Sequence, residues 1–370
     1  MLEKIIAEAK ELPAVSFEAA KKYSEKKEIL IAQVNEELKK DPLINQILGK
    51  GTLELMFENH ANHANFMANV FRFNQFELLV KTIPWVYRSY KARGFSYDYF
   101  LVALQAWSKA VEDHLDNDHV QMINRIYTWM LAKHQEMIKI AQEEVASTVS
   151  TDPSWQEIKD KFFFFLLRGE YKNCLVLAME VVSNSKELEE FYLQVVQPSM
   201  YQIGLYWENG EISVAQEHLA TVMVSRVMTA LYPRFMSNEQ TKGIAVVTSA
   251  PNEYHELGAL MVTDLLEIDG WDVKYLGANT PQQDLLKFLK SIKPDLLAIS
   301  VTMSLNLERA AKVIEAVKGD RELDKIKIMI GGLAFQQESE IWQRIGADAR
   351  AFDAREAVML AREWWSCIEN

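Results

Sequence analysis

The sequence has few cysteines, no surplus of positive charge and no long apolar run. Two cysteines among 370 residues, Cys174 and Cys367, offer neither a disulfide framework nor a metal cluster. The net charge is −12 without a dense basic run, which argues against a nucleic-acid partner. The apolar block at residues 162–167 has six residues, whereas about 20 are needed to span a bilayer. With a charged amino terminus that lacks a signal-peptide pattern, these features predict a cytoplasmic protein without membrane or nucleic-acid binding.

Hydrophobic periodicity predicts a multidomain protein. Residues 1–150 show sparse helix breakers and three-to-four spacing of apolar residues, which predicts an all-α domain. Residues 151–240 predict about four more helices, a four-helix-bundle cap. Residues 241–370 alternate short apolar runs with helical patterns, which predicts a doubly wound parallel α/β domain of Rossmann-like type. Its strands are predicted at residues 244–248, 271–276, 296–300, 326–330 and 349–352.

A loop that contains Glu253, His255 and Gly258 follows the first of these strands and precedes a helical pattern. A histidine there lies at the carboxyl edge of the sheet, where open α/β folds bind ligands. Glu253 can orient the imidazole and raise its basicity, and Gly258 leaves room for a close approach of the backbone. Taken alone, the motif is equally typical of a capped surface loop with a hydrogen-bonded histidine.

Two further motifs lie at the ends of later strands, Ser300-Val301-Thr302 and Gly331-Gly332. Forty-one residues separate the first motif from the second, and 28 separate the second from the third. The three motifs are therefore expected on one rim of the sheet, as a single ligand requires. In residue type and spacing they resemble the cobalamin-binding domain family, with its D-x-H-x-x-G, S-x-L or S-x-T, and G-G signature.

The resemblance implies that His255 is the lower axial ligand of cobalt and that the nucleotide tail of the cofactor passes Ser300, Thr302 and the glycine pair. Glu253 replaces the usual aspartate of the family but keeps the carboxylate. The cofactor-binding residues that the resemblance implies in this domain are Glu253, Tyr254, His255, Leu257, Gly258, Ser300, Val301, Thr302, Gly331 and Gly332.

The second helical segment contains a Trp-x9-Glu-His pattern formed by Trp207, Glu217 and His218. Ser213 is a predicted N-cap, so the Glu–His pair projects from the first turns of a helix. Such a pair is commonly a solvated surface, but apolar residues follow it. The pattern resembles the adenosylcobalamin light sensors related to CarH. There it implies that Trp207 covers the upper face of the cofactor, that Val214 stacks beside the adenosyl group, and that Glu217 and His218 contact it.

One position departs from the light sensors, because Glu208 follows the tryptophan where the best-known members carry a histidine. In those proteins that histidine can bind cobalt after the alkyl group leaves. A bis-histidine light state through this position is therefore not expected, although His218 is a speculative substitute.

Residues 1–145 are rich in aromatic side chains, which either fill a helical-bundle core or wall a pocket for a flat conjugated ligand. Residues 58–95 resemble, more diffusely, the amino-terminal domain of photocobilin-type photoreceptors, which hold a bilin next to cobalamin. Because neither cysteine lies here, biliverdin would bind non-covalently. The candidate bilin-binding residues are Asn59, His60, His63, Arg72, Arg88 and Arg93.

Together these features predict a non-enzymatic cobalamin light sensor, with adenosylcobalamin as the favoured form. Photolysis of the Co–C bond would change domain packing and signal to an unknown partner, with the protein as a homodimer. The first alternative is a corrinoid methyl carrier for a methyltransferase, which has the same bundle-plus-α/β layout. The second is a cobalamin-responsive regulator. A catalytic mutase would need a substrate barrel of about 250 residues, which this chain lacks.

Overall fold

The structure, a computed structural model, describes residues 1–143, 151–236, 241–336 and 340–369. The chain divides into two compact units. The first unit is Met1–Val145 with Glu208–Gly210, and the second unit is Ala146–Trp207 with Glu211–Asn370. The domain boundaries predicted at residues 150 and 240 lie outside the described residues or at their edge, and they stay predictions.

Amphipathic helices build the first unit, in agreement with the prediction. In the longest of them, Ile123, Tyr127 and Met130 recur at helical spacing and are buried. Side-chain oxygens of Ser16 and Thr52 cap two helices by accepting hydrogen bonds from backbone N–H groups of the first turn. The helices are α1 (Leu2–Lys10), α2 (Phe17–Lys40), α3 (Ile44–Leu48), α4 (Leu53–Phe73), α5 (Phe76–Ala92), α6 (Asp98–His114) and α7 (Asn117–Ala141).

Residues 151–236 form a second set of helices. A capping box starts the last of them: the backbone N–H of Gln216 donates to Ser213 Oγ at 3.3 Å, and that of Ser213 donates to Gln216 Oε1 at 2.9 Å. The predicted N-cap at Ser213 is therefore confirmed. The helices are α8 (Gln156–Leu167), α9 (Tyr171–Val181), α10 (Ser185–Phe191), α11 (Gln197–Glu208) and α12 (Val214–Leu231), with a π-helical turn (Tyr192–Val196) between α10 and α11.

The rest of the second unit is a five-stranded parallel sheet flanked by helices, which confirms the predicted parallel α/β domain. The strand order is β2-β1-β3-β4-β5, so the direction of winding reverses between β1 and β3. The strands are β1 (Ile244–Ser249), β2 (Asp272–Tyr275), β3 (Leu296–Ser300), β4 (Lys327–Gly331) and β5 (Ala349–Ala351). The helices are α13 (Leu257–Ile268), α14 (Gln282–Ile292), α15 (Leu307–Lys318), α16 (Leu333–Gln336), α17 (Ile341–Arg344) and α18 (Ala354–Glu369).

Strand register aligns the carboxyl ends of the central strands. Ser249 pairs with Ser300 across β1 and β3, and Ser300 pairs with Gly331 across β3 and β4. The loop with His255 leaves β1 directly after Ser249, next to the reversal point where ligands bind in open α/β sheets. The prediction that the three motifs lie on one rim is therefore confirmed.

One apolar core joins the helical segment of the second unit to its sheet. Phe162 and Met223 from the helices belong to the same buried cluster as Leu265 of α13 and Met329 of β4. Burial of each such side chain contributes roughly 1.5–3 kcal/mol. The helices and the sheet are thus packed as one body, which positions α12 relative to the sheet rim. None of the described helices is long and apolar enough to cross a membrane.

Candidate functional site

Glu253 and His255 form the centre of the site. The carboxylate oxygen Oε1 of Glu253 lies 2.5 Å from Nδ1 of His255. Because a carboxylate can only accept, Nδ1 carries the proton and Nε2 keeps its lone pair. The His255 side chain is 53% exposed, whereas that of Glu253 is 0% exposed. The buried carboxylate therefore holds the imidazole in one orientation and leaves Nε2 available as a ligand atom.

The second oxygen of Glu253 is anchored to the loop that follows β3. Its Oε2 accepts from the backbone N–H groups of Thr302 at 3.0 Å and Met303 at 2.8 Å, and from Asn306 Nδ2 at 3.1 Å. This anchoring fixes the carboxylate at the reversal point between β1 and β3. It also ties the first sequence motif to the second, since Thr302 belongs to the Ser-Val-Thr segment.

The pKa values of Glu253 and His255 are shifted in opposite directions. Burial raises the pKa of Glu253, but hydrogen bonds from His255, Met303 and Asn306 and the charge of His255 outweigh it, and the net pKa is lowered. Burial lowers the pKa of His255, but the hydrogen bond and charge of Glu253 and the charge of Glu217 outweigh it, and the net pKa is raised. The pair therefore favours an ionised carboxylate beside a more basic imidazole, whose Nε2 lone pair is available in the neutral ring.

The glycines of the rim have two different surroundings: one has open space beside it, and two are packed closely against backbone. Gly258 is exposed, and a Cβ added there would meet Ser300 Oγ at 3.9 Å, an ordinary contact, so there is room for a side chain at this position. Gly332 has φ +99°, and a Cβ there would lie 2.4 Å from the carbonyl oxygen of Val301. At Gly331 a Cβ would lie 3.1 Å from the carbonyl oxygen of Ala351. Gly258 thus borders free space, whereas the other two glycines permit close packing of backbone.

The remaining motif residues contribute in different ways. The Val301 side chain is fully buried, so only its backbone faces the rim. Tyr254 is 71% exposed, and its hydroxyl accepts from Asn279 Nδ2 at 3.2 Å. Leu257 is the first residue of α13 and packs against the core of the second unit.

The first turns of α12 approach the same histidine. Glu217 lies close enough for its charge to raise the pKa of His255. One Glu217 oxygen lies 2.6 Å from Nδ1 of His218, and the other accepts from Thr221 Oγ1 at 3.0 Å. The His218 side chain is 72% exposed. Of this pair, Glu217 thus acts on His255 through its charge, whereas His218 forms its hydrogen bond with Glu217.

The other two predicted residues of this segment differ in exposure. Val214 opens α12 and is exposed, whereas Trp207, near the end of α11, is partly buried against the core of the second unit. The predicted roles of these four residues at a bound cofactor stay predictions.

The candidate bilin residues are divided in space. Asn59, His60 and His63 line a cavity of about 70 Å³ inside the first unit. Arg72, Arg88 and Arg93 are not among its lining residues. The structure thus brings three of the six together and not the other three. A volume of this size is also below the roughly 300–1,000 Å³ of typical ligand pockets, so bilin binding stays a prediction.

The three arginines have other contacts. Arg88 Nε lies 2.5 Å from Oε1 of Glu208, which is buried and clusters with the first unit. Arg93 Nη1 donates to the backbone oxygen of Ser89 at 2.6 Å, and the Arg72 guanidinium lies 5.5 Å from the centre of the Phe73 ring.

Sequence reasoning missed several supporting residues of the site. Asn306 joins Glu253 to the backbone oxygen of Asn252, and Ser249 Oγ donates to the backbone oxygen of His255 at 3.2 Å. Asn252 and Asn279 have positive φ values of 62° and 56° and are joined by a 2.8 Å hydrogen bond. Asparagine tolerates this conformation better than most residues, which is the one local signal that the sequence carries for this turn.

Comparison with known proteins agrees with this arrangement. Residues 243–361 match a family model described as a B12 binding domain, and residues 159–232 match a second model with the same description. The chain contains B12-binding domains. The predicted cobalamin-binding family is thereby confirmed in its general form.

Three relatives of these B12-binding domains illustrate the similarity. Dimethylamine corrinoid protein 1 of Methanosarcina mazei is 26% identical over 195 residues, which cover 52% of this chain and 89% of that protein. Dimethylamine corrinoid protein 3 of the same organism is 28% identical over 167 residues, 44% of this chain and 98% of that protein. The structure of the Methanosarcina barkeri monomethylamine corrinoid protein superposes with a TM-score of 0.51 at 24% identity, covering 56% of this chain and 99% of that one, and shows a shared fold.

The residues of the B12-binding domains fit the cofactor on structural grounds. His255 offers one oriented nitrogen lone pair, as an axial ligand of cobalt requires. Gly258 leaves open space beside Ser300, next to the loop of that nitrogen and at the sheet edge where a ligand is expected. The donor set and the open space thus agree with the family match.

Proposed function

We propose that the chain is a corrinoid methyl carrier that binds cobalamin through His255 and serves a partner methyltransferase. The observation that carries the proposal is the His255 imidazole, oriented through Nδ1 by buried Glu253 within a matched B12-binding domain. The corrinoid proteins of methylamine systems among its relatives support the carrier over a light sensor. In this role the chain itself is not an enzyme, because the methyltransferase supplies the catalysis.

The side chains of the site hold the cofactor rather than transform it. Glu253 keeps a proton at Nδ1 of His255, so that Nε2 of the neutral ring would hold the cobalt of bound cobalamin. Backbone N–H groups of Thr302 and Met303 keep that carboxylate charged and in place. The open space beside Gly258 and Ser300, at the ends of β1 and β3, would leave room for the nucleotide tail of the cofactor. Bound cobalamin supplies a cobalt centre through which a methyl group can be transferred.

The first turns of α12 carry two further residues of the proposed site. Glu217 and His218 hydrogen-bond to each other, and the Glu217 charge reaches His255. In the proposed carrier these two residues would lie beside the bound cofactor and limit its contact with water. The high exposure of His218 is compatible with a partner that reaches the upper face.

The test uses the full chain loaded with hydroxocobalamin and compares it with His255→Ala. With histidine labelled by 15N, paramagnetic resonance of the reduced Co(II) form should show coupling to one 15N nucleus in the wild type. The variant should lose that 15N coupling, because only the 14N of the cofactor's own base can then bind cobalt. His114→Ala serves as a control, since His114 ends α6 in the first unit. Retained 15N coupling in the His255 variant, or 14N coupling alone in the labelled wild type, would remove the proposed ligand.

The carrier role is tested separately. The chain is loaded with methyl-labelled cobalamin in the dark and mixed with a methylamine-system methyltransferase and a thiol acceptor. Label should pass to the thiol only when the methyltransferase is present. Retention of all label, together with an irreversible spectral change under green light, would favour the sensor.

The second candidate is an adenosylcobalamin light sensor that signals to a partner protein, with the chain as a homodimer. It is favoured by one specific observation, the Glu217–His218 pair at the start of α12 close to His255. Trp207, which nine residues separate from Glu217, completes the sensor-like pattern. In this role loss of the adenosyl group would change the contacts of α12. A biliverdin held by the first unit belongs to the same candidate.

A further inference from the structure

Asn306 lies at the start of a helix but does not cap it. It precedes the first residue of α15, and its side chain accepts no backbone N–H of that first turn within the described chain. Its Oδ1 instead accepts from Nη1 of Arg309, three residues further along, at 2.7 Å. An asparagine at this position commonly caps the helix through that oxygen. The amide of Asn306 is therefore engaged by a side chain rather than by the backbone of its own helix.

The same amide holds the loop that carries the candidate cobalt ligand. Its Nδ2 donates to Oε2 of Glu253 at 3.1 Å and to the backbone oxygen of Asn252 at 3.2 Å. A guanidinium can only donate, and a carboxylate and a carbonyl can only accept, so the amide fits in one orientation. Asn306 is 1% exposed, so these partners rather than bulk water satisfy it. Both polar atoms of the Asn306 side chain are thus engaged.

Arg309 lies where the helix does not favour its charge. It is the third residue of α15, and the positive end of a helix dipole disfavours a cation in the first turn. Residues that break a local rule in this way are expected at functional or strained sites. The side chain is partly buried, and its guanidinium contacts the Asn306 amide. The contact with Asn306, rather than the stability of α15, therefore accounts for an arginine at this position.

We propose that Arg309 is a positioning residue for the axial ligand His255. It acts through the amide of Asn306 and the carboxylate of Glu253. Three hydrogen bonds connect the guanidinium to the imidazole: 2.7 Å to Asn306, 3.1 Å from Asn306 to Glu253, and 2.5 Å between Glu253 and His255. The inference rests on the proposed binding of cobalamin through His255.

The buried oxygen of Asn306 makes this connection sensitive to Arg309. Without the guanidinium, Oδ1 of Asn306 loses its donor, and the amide must turn to reach another one, because buried polar atoms require partners. Turning withdraws Nδ2 from Oε2 of Glu253, which keeps only the backbone donors of Thr302 and Met303. The carboxylate then holds the imidazole less firmly.

The experiment measures the affinity of the full chain for hydroxocobalamin by visible absorption titration. Arg309→Met keeps an apolar stem but removes the donor, and it should weaken binding about tenfold, the lower end of the effect of losing an outer partner of a metal ligand. Arg309→Lys keeps a donor and should restore the affinity to within about threefold of the wild type. Arg321→Met is the matched control, because Arg321 is exposed and follows the end of α15.

A double-mutant cycle tests whether Arg309 acts through Asn306. Asn306→Ala alone should weaken binding about tenfold, and adding Arg309→Met should cost little more, because the second change removes a partner that is already lost. Independent effects would instead multiply to about 100-fold. In chains with 15N-labelled histidine, Arg309→Met should also lower the share of Co(II) that is coupled to the His255 nitrogen.

If Arg309→Met equals the wild type in affinity and in 15N coupling, the proposal is overturned, and losses that multiply in the double variant overturn it as well. A wild type without 15N coupling would overturn the cobalt ligand itself and this inference with it. Thermal melting of each cofactor-free chain reports on folding. Arg309→Ala, which also removes the donor, replaces Arg309→Met in the cycle if the methionine variant fails to fold.

Discussion

The carboxylate of Glu253 lies 2.5 Å from Nδ1 of His255 through one oxygen and is anchored to the β3 loop through the other. Replacement by glutamine keeps an acceptor oxygen but removes the charge, and it places an NH₂ group opposite N–H donors or the imidazole. We expect Glu253→Gln to weaken cobalamin binding about 10- to 100-fold, the usual effect of losing a residue that orients a metal ligand.

Visible absorption titration with hydroxocobalamin measures this change. Glu256→Gln is the matched control, since Glu256 is a neighbouring carboxylate whose Oε2 accepts from the Tyr275 hydroxyl at 3.5 Å. Unchanged affinity in Glu253→Gln would mean that the carboxylate does not tune the ligand.

Two glycines of the site should respond to alanine in opposite ways. At Gly258 the added methyl group makes only an ordinary contact with Ser300, so the melting temperature should hardly change. The same methyl group would occupy part of the open space proposed for the cofactor beside Ser300. The affinity for cobalamin should therefore fall at least about tenfold, which corresponds to about 1.4 kcal/mol of binding free energy.

At Gly332 the methyl group would meet the carbonyl oxygen of Val301, and the positive φ disfavours alanine. Gly332→Ala should therefore lower the free energy of unfolding by about 1–3 kcal/mol. Urea denaturation and cobalamin titration of both variants check the pair. If Gly258→Ala binds cobalamin as tightly as the wild type, the cofactor does not pass close to Gly258.

The sheet and its motifs were predictable because their signals are local. Buried parallel strands are short apolar runs, so the carboxyl ends of β1, β3 and β4 could be read from the sequence. Residues at those ends then share one rim by topology alone. The capping box at Ser213 was equally local, since it depends on residues three apart.

The long-range polar contacts were not predictable. Asn306 reaches Glu253 across 53 residues, and no periodicity marks an asparagine for that contact. The three arginines assigned to a bilin were chosen by charge, but their directions depend on helix packing. Arg93, for example, follows the end of α5, and its side chain donates to the backbone oxygen of Ser89 within that helix. The sequence therefore shows that a region contains arginines, but which of them line a pocket depends on tertiary packing.

Trp207 distinguishes a cap over the cofactor from a residue of the core. If it covers the upper face, Trp207→Ala should weaken binding of adenosylcobalamin several-fold more than binding of hydroxocobalamin, because only the larger upper ligand loses a contact. The ratio of the two affinities cancels effects on folding. Tyr206→Ala is the control, since Tyr206 packs on Phe163 at 5.2 Å within the core. Equal losses for both cobalamins in the Trp207 variant would assign it to the core.

A buried carboxylate joins the helical segment to the sheet. The hydroxyl of Tyr192, in the π-helical turn, donates to Asp264 Oδ2 of α13 at 2.6 Å. Burial raises the pKa of Asp264 to about 7, an effect that the Tyr192 hydrogen bond opposes and the Glu267 charge strengthens. In the unfolded chain an aspartate titrates near 3.9. Between these values the folded state binds more protons, so stability falls as pH rises from about 4 to about 7.

Asp264→Asn should remove that part of the pH dependence. The wild-type chain should lose up to about 4 kcal/mol more stability between pH 4 and pH 7 than the variant does, at 1.36 kcal/mol for each pKa unit. Urea denaturation of both proteins at several pH values gives the difference. Tyr192→Phe is the companion variant: it removes the donor that favours ionised Asp264, so its stability should fall more steeply near pH 7. Parallel stability curves for the wild type and Asp264→Asn would show that Asp264 titrates at its ordinary pH despite its burial.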